Sequence, residues 1–253
     1  MDTEALAYGL AGRRIAALRP PTGADELAIG GTSYADAAAF IGALLVEGPN
    51  RVVGPDVAAL AVCDLDRIVA MAFGALIGPV AEIHCRCSAC STPFELAIAI
   101  DGLVQNPEAG DAAALDPLRF RLSGGTVIRL PVVGDLADRD AATDGPRPFV
   151  CEPGDDAPAA IEAALARLCP TTSELVETEC PSCGVAMTVD FDLAVFLMKS
   201  LLRERDLLLR EVHVIARAYG WSLAEILSLP RDIRHGFVRL AGGKPALAGR
   251  AAA

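Results

Sequence analysis

Apolar and polar residues along this chain alternate in short runs and recur at helical spacing in longer ones, a pattern that predicts an α+β fold. Phe94, Leu96 and Ile98 alternate with Glu95 and Ala97, and Met187, Val189 and Phe191 alternate with Thr188 and Asp190, so each segment reads as a half-buried strand. Residues 118–122 and 126–130 flank Ser123-Gly124-Gly125 and read as a hairpin with a glycine-rich turn. Alanine-rich helices are expected over 66–76 and 159–168. A longer helix is expected over 193–219, with Met198, Leu201, Leu208, Val212, Ile215 and Tyr219 on one stripe and Gly220 as its stop. Ser222-Leu-Ala-Glu225 is a capping box for a short second helix, and Pro230 starts a third that ends near Gly242. The stretch 138–158, rich in Asp and Pro, reads as a solvated loop, and 242–253 as a flexible tail.

The pattern repeats. Cys87-Ser-Ala-Cys90-Ser-Thr-Pro-Phe94 aligns with Cys180-Pro-Ser-Cys183-Gly-Val-Ala-Met187, 93 residues on, and each CxxC knuckle follows a helix and leads into a strand. An earlier echo sets Arg19 and Asp25 against Arg129 and Asp135. The expected organisation is therefore two pseudo-repeats, each of helix, strand, CxxC knuckle and strand, joined by a shared zinc-ribbon-like site. Repeat one covers 15–104 and repeat two 117–192, with a Pro/Gly/Asp-rich linker between them. A C-terminal helical unit over 193–241 and the tail over 242–253 complete the chain.

A CxxC turn sets two thiolates on one side of a tight loop, so one knuckle is half of a tetrahedral zinc site and two complete it. Cys87, Cys90, Cys180 and Cys183 are the expected ligands of one structural zinc ion per chain. The alternatives are a redox dithiol, which favours a helix N-terminus, a disulfide framework, which suits a secreted chain, and fortuitous buried cysteines or a lost site. Both knuckles here lead into strands, which weighs against the first. Cys85 could offer an alternative ligand, but Thr178 stands at its counterpart, so it is read as a spare thiol. Cys63, Cys151 and Cys169 are isolated and are read as buried small apolar residues.

Composition narrows the function classes. The chain has 253 residues, 53% of them hydrophobic, enough for a substantial core. Its start is acidic and its longest uncharged run, 68–81, is too short to span a bilayer, so a soluble, intracellular protein is expected. With 33 acidic against 22 basic residues, a net charge of −11 disfavours nucleic acid and anionic membranes as partners. The charge is uneven: Arg231, Arg234, Arg239, Lys244 and Arg250 face only Asp232 beyond residue 229. These residues either complete a helix C-terminus or form a docking end for an acidic partner. No HExxH, GxSxG, Walker A or GxGxxG motif occurs, four cysteines leave no open metal position, and an enzyme with a small-molecule substrate is not expected.

The doubled knuckles, together with Glu211-Val-His213 and Tyr219-Gly-Trp-Ser-Leu-Ala-Glu-Ile-Leu227, resemble the small baseplate hub and tail-assembly proteins of T-even-like contractile phage tails and related contractile injection systems. The resemblance spans about 15–240, and its most specific part is the long helix, glycine stop and capped Trp-Ser helix. Ser91 in place of a second glycine, the extra Cys85 and a diluted basic cluster after Leu229-Pro230 depart from the pattern. The resemblance implies a non-enzymatic hub component or assembly chaperone whose partners are other baseplate or hub proteins. It implies a protein present in the cytoplasm during assembly and either retained in or released from the finished particle. Trp221, Arg231, Arg234 and Arg239 are the residues expected to meet a partner. The competing reading is a zinc-ribbon adaptor for nucleic acid or a regulatory protein, against which stand Glu174, Glu177 and Glu179 beside the second knuckle.

Overall fold

A computed structural model describes residues 2–137 and 146–242. The fold is α+β and opens with an antiparallel hairpin, β1 (Asp2–Leu10) and β2 (Arg13–Leu18). Helices α1 (Gly23–Leu27), α2 (Tyr34–Leu44) and α3 (Val62–Leu76) follow, then a β-ribbon of β3 (Val80–Arg86) and β4 (Pro93–Ala99). Next come β5 (Ala113–Asp116), β6 (Arg119–Arg121), β7 (Val127–Arg129), the short helix α4 (Val133–Ala137) and β8 (Val150–Glu152). The four strands form one antiparallel sheet in chain order. Helix α5 (Pro158–Leu168) leads to a second ribbon, β9 (Ser173–Glu179) and β10 (Ala186–Asp192). Four helices close the described chain: α6 (Leu193–Arg203), α7 (Arg205–Tyr219), α8 (Leu223–Leu227) and α9 (Arg231–Leu240).

Three apolar clusters hold these elements. The largest gathers Leu18, Phe40, Ile41, Leu65, Ile68 and Phe73 with Leu193, Leu197 and Met198 of α6. The second packs Phe120 and Ile128 of the four-stranded sheet, with Leu130 just beyond β7, against Ile161, Leu168 and the start of α3. The third, of Ile215, Ile226 and Val238, sits among α7, α8 and α9. Packing thus crosses the boundaries drawn from the sequence, because α6 belongs to the first cluster and residues 61–63 to the second.

Several elements differ from expectation for identifiable reasons. The helix expected over 193–219 is two helices separated at Glu204, whose N–H turns back to the Leu201 and Leu202 carbonyls and whose carboxylate accepts from Arg231 at 2.6 Å. The stretch expected to be a solvated loop contains β8, which pairs with β7 through its backbone. Residues 138–145 of that stretch, and 243–253 of the expected tail, lie outside the described residues. Cys151 stands exposed on β8, contrary to the buried reading, whereas Cys63 and Cys169 are buried. Those two are also in contact: the Cys63 N–H donates to Cys169 Sγ at 3.4 Å, and the Val62 N–H donates to the Pro131 carbonyl at 3.0 Å. These acceptors serve the first turn of α3, whose N-cap, Ala61, has no side-chain acceptor.

Two buried carboxylates on α3 organise what surrounds it. Asp64 accepts the N–H groups of Ala7 at 2.7 Å, Tyr8 at 3.1 Å and Gly9 at 2.7 Å, where the β1–β2 ladder loses register. Asp66 accepts the Tyr34 hydroxyl and the Thr172 N–H, both at 2.8 Å. Burial is the main influence on Asp66 and raises its pKa to about 6 against those hydrogen bonds.

Matched clamps recur at the echo seen in the sequence. Arg19 grips Asp25 with two hydrogen bonds, of 2.7 and 2.8 Å, and the Thr22 N–H donates to Asp25 at 2.8 Å. Arg129 grips Asp135 at 2.7 and 2.9 Å, and the Val132 N–H donates to Asp135 at 2.9 Å. Burial works against the Asp25 charge, but Arg19 and Thr22 prevail and hold its pKa at about 2.

The C-terminal helices are fastened to α1 by a buried ion network. Arg231 pairs with Glu26 at 3.0 Å and Glu204 at 2.6 Å, and Arg234 pairs with Glu211 at 2.7 Å and Glu26 at 3.1 Å. His235 Nε2 lies 3.0 Å from Glu211. The contact is close enough that a Cβ on Gly23 would come within 3.0 Å of both Arg234 and Leu227. Among the described residues, no helix is long and apolar enough to cross a membrane.

Candidate metal centre

Each ribbon turns at a six-residue knuckle built by the same hydrogen bonds. In the first, the Cys87 N–H donates to the Thr92 carbonyl and the Ser91 N–H to the Cys87 carbonyl, both at 3.0 Å. In the second, the Cys180 N–H donates to the Val185 carbonyl at 3.0 Å and the Gly184 N–H to the Cys180 carbonyl at 2.8 Å. The chain leaves each knuckle through a left-handed residue, Ser91 at φ 60 and Gly184 at φ 71. The strands on either side are in full register, Arg86 opposite Pro93 and Glu179 opposite Ala186.

This geometry brings four sulfurs together. Cys87 Sγ lies 3.7 Å from Cys183 Sγ, Cys90 Sγ lies 3.7 Å from Cys180 Sγ, and all four atoms lie within 4.8 Å of one another. Metal–sulfur bonds of about 2.3 Å at tetrahedral corners require sulfurs about 3.8 Å apart. The four cysteines therefore fit one tetrahedral metal ion, with a pair from each ribbon. Cys87 and Cys180 are buried, and Cys90 and Cys183 face solvent, so the site sits at the surface with two of its thiols turned inward.

Backbone amides are aimed at the sulfurs. The Ala89 and Cys90 N–H groups donate to Cys87 Sγ at 3.4 and 3.5 Å, and the Ser182 N–H donates to Cys180 Sγ at 3.4 Å. The Cys90 amide is the main influence lowering the Cys87 thiol, and Thr92, whose Oγ1 lies 3.2 Å from Cys90 Sγ, brings the Cys90 thiol down to about 6. At Cys183 the Val185 amide acts in the same direction, but Cys90, Cys180 and Cys87 crowd it and push it up to about 12. Four thiols this close cannot share so much negative charge unaided. A cation among them removes the conflict.

The remaining expected residues are placed as follows. Cys85 stands two residues before Cys87 on β3, opposite Phe94, and is not among the clustered sulfurs. Arg231 and Arg234 are buried in the ion network and so are committed to partners within the chain rather than to the surface expected of them. Arg239 is exposed. Trp221 is half-buried in an aromatic knot, its ring centroid 5.3 Å from that of Tyr219 and 4.8 Å from that of Phe237. Thr92, which tunes Cys90, was not anticipated, and its counterpart Val185 shows why: the two knuckles share no residue type there. Neither CxxC begins a helix, as a redox dithiol would favour. No family model, curated protein or solved structure matches this chain.

Proposed function

We propose that this protein is a non-enzymatic structural component in which one zinc ion clamps two β-ribbons, and that it serves a contractile phage tail or related injection system as a baseplate hub component or assembly chaperone. The observation that carries the zinc is the pair of 3.7 Å sulfur contacts bridging knuckles 93 residues apart. Four cysteines are the usual donor set of structural zinc, and a filled tetrahedron leaves no position for a reactive water. Such an ion contributes on the order of 10–16 kcal/mol of apparent binding energy to folding in small zinc domains. Here it would tie the ribbon that follows α3 to the ribbon that follows α5.

We read the two halves as one unit used twice. Support comes from the identical knuckle hydrogen bonding, the equal seven-residue strands and the paired clamps Arg19–Asp25 and Arg129–Asp135. The hub assignment rests on the likeness of the C-terminal segment to tail-assembly factors. Residues carrying that likeness do structural work: Glu211 anchors Arg234 and His235, Tyr219 and Trp221 form the aromatic knot, and Ser222 caps α8. Partners on this reading are other baseplate or hub proteins. The nucleic-acid alternative is disfavoured by the carboxylates of Glu177, Glu179 and Asp190 on the exposed face of the second ribbon.

Gene neighbourhood and co-expression test the assignment together. Sheath, tube and spike genes beside this one, with a stable complex when it is co-expressed with the neighbouring hub proteins, are the expected result. An isolated gene whose product binds none of those proteins from a matched phage or injection system would overturn it.

A further inference from the structure

The four clustered cysteines differ in their access to solvent. In each knuckle the first, Cys87 or Cys180, is buried, and the second, Cys90 or Cys183, stands exposed. Sulfur contacts cross between the ribbons: exposed Cys90 meets buried Cys180 and exposed Cys183 meets buried Cys87, each at 3.7 Å. Every exposed sulfur thus has a buried sulfur of the other ribbon beside it. Within a knuckle, the Ala89 and Cys90 amides close on Cys87 Sγ and the Ser182 amide closes on Cys180 Sγ. Neither CxxC begins a helix, the setting in which such a pair readily makes its own disulfide. Of the cysteines outside the cluster, Cys63 and Cys169 are buried, Cys85 is half-buried and Cys151 is exposed.

The ribbons are held at their bases as well as at their tips. Ala81 and Ile98 of the first ribbon and Phe191 of the second belong to the largest apolar cluster, and Ile83, Leu96 and Val176 pack against it. Strand pairing continues up to both knuckles. The knuckles therefore face each other through packing that does not depend on a metal ion. To bond, two sulfurs in contact at 3.7 Å must close to about 2.05 Å, a short movement for side chains so placed.

We propose that the cluster is an oxidation site for a peroxide: Cys90 and Cys183 are the sulfurs oxidised first, and Cys90–Cys180 and Cys87–Cys183 disulfides form as zinc leaves. The proposal concerns regulation of the same site and rests on the zinc reading for the ion released. In each half of the reaction the exposed thiolate attacks one peroxide oxygen, the O–O bond breaks, and a sulfenic acid and hydroxide result. The buried thiolate across the ribbons then attacks that sulfur, the S–S bond forms and hydroxide leaves. Two protons from solvent turn the two hydroxides into water, so two sulfurs give up two electrons and one peroxide is reduced. Two peroxides convert all four thiolates and leave the ion without ligands. Because both disulfides join one ribbon to the other, the clamp persists in covalent form, whereas Cys87–Cys90 and Cys180–Cys183 disulfides would release it.

Hydrogen peroxide added to the full chain tests it, in the wild type and in Cys85→Ser/Cys151→Ser, where the cluster holds the only accessible thiols. Native mass spectrometry before the addition counts zinc and so reports on the metal reading by itself, and the disulfide map of the same sample decides the pairing whether or not an ion was present. Two peroxides per chain are expected to release the zinc to a chromophoric chelator, and peptide mapping without reduction to find Cys87 linked to Cys183 and Cys90 to Cys180. Hydrogen exchange in β3, β4, β9 and β10 of the oxidised, metal-free protein is expected to stay as slow as in the zinc form and to quicken about tenfold or more when reductant and chelator are added together. Disulfides within a knuckle, zinc retained with sulfinic acid at Cys90 and Cys183, or ribbons that exchange as fast oxidised as reduced and metal-free would each overturn it.

Discussion

Ser91 and Gly184 hold the same place in the two knuckles and the same left-handed backbone, at φ 60 and φ 71. A side chain in that region costs roughly 1–2 kcal/mol, and glycine gives back about half of that in unfolded-state entropy. Ser91→Gly is therefore expected to stabilise the metal-loaded protein by about 0.5–1 kcal/mol, read as a higher denaturation midpoint at unchanged slope. Asp66 supplies a pH prediction. Its folded pKa, raised by burial to about 6, lies above the unfolded value near 4, so its contribution to stability is complete below pH 4 and is lost as pH rises through 6. Stability of Asp66→Asn relative to wild type should thus improve by about 3 kcal/mol between pH 4 and 7, whereas a flat difference would show that the carboxyl ionises freely. The four cysteines were legible because CxxC spacing is a local signal that survives in sequence. Asp64, Asp66 and the Cys63–Cys169 contact were not, because their partners lie 32 or more residues away and no short pattern announces a buried carboxylate or thiol.

Among the elements, the ribbons were readable and the first hairpin was not. β3, β4 and β9 alternate between exposed and covered positions throughout and β10 does so as far as Phe191, whereas in β1 the apolar residues Ala5, Leu6 and Ala7 run together and the register breaks between Ala5 and Leu10. What holds β1 in place of regular pairing is Asp64 on α3. Asp64→Ala would leave three amide donors without their acceptor and is expected to cost about 2–4 kcal/mol, while Asp64→Asn, which keeps one acceptor oxygen, costs less. Equilibrium denaturation distinguishes these, and a loss below 1 kcal/mol for alanine would mean water satisfies the amides instead. The break at Glu204 was equally hidden, since the apolar stripe runs on from Met198 to Tyr219 with no glycine or proline between them, and the Glu204 pairing with Arg231 lies 27 residues away in sequence.

The whole molecule is held by two long-range fastenings of different chemistry, the sulfur cluster between the ribbons and the ion network between α9 and α1. Breaking the second should leave the first intact. Arg234→Met takes one cationic partner from each of two buried carboxylates, leaving Glu26 to Arg231 and Glu211 to His235, and is expected to cost about 3 kcal/mol, with faster hydrogen exchange confined to α7, α8 and α9 and no loss of metal. Uniform destabilisation with metal release would show that the two fastenings are one. The central claim is that a single zinc ion joins Cys87 and Cys90 to Cys180 and Cys183, and native mass spectrometry of protein purified without added metal tests it most directly, with Cys180→Ser/Cys183→Ser alongside. One zinc per chain in the wild type and none in the variant is the predicted result. A metal-free wild type, or a variant that keeps its zinc, would contradict the clamp.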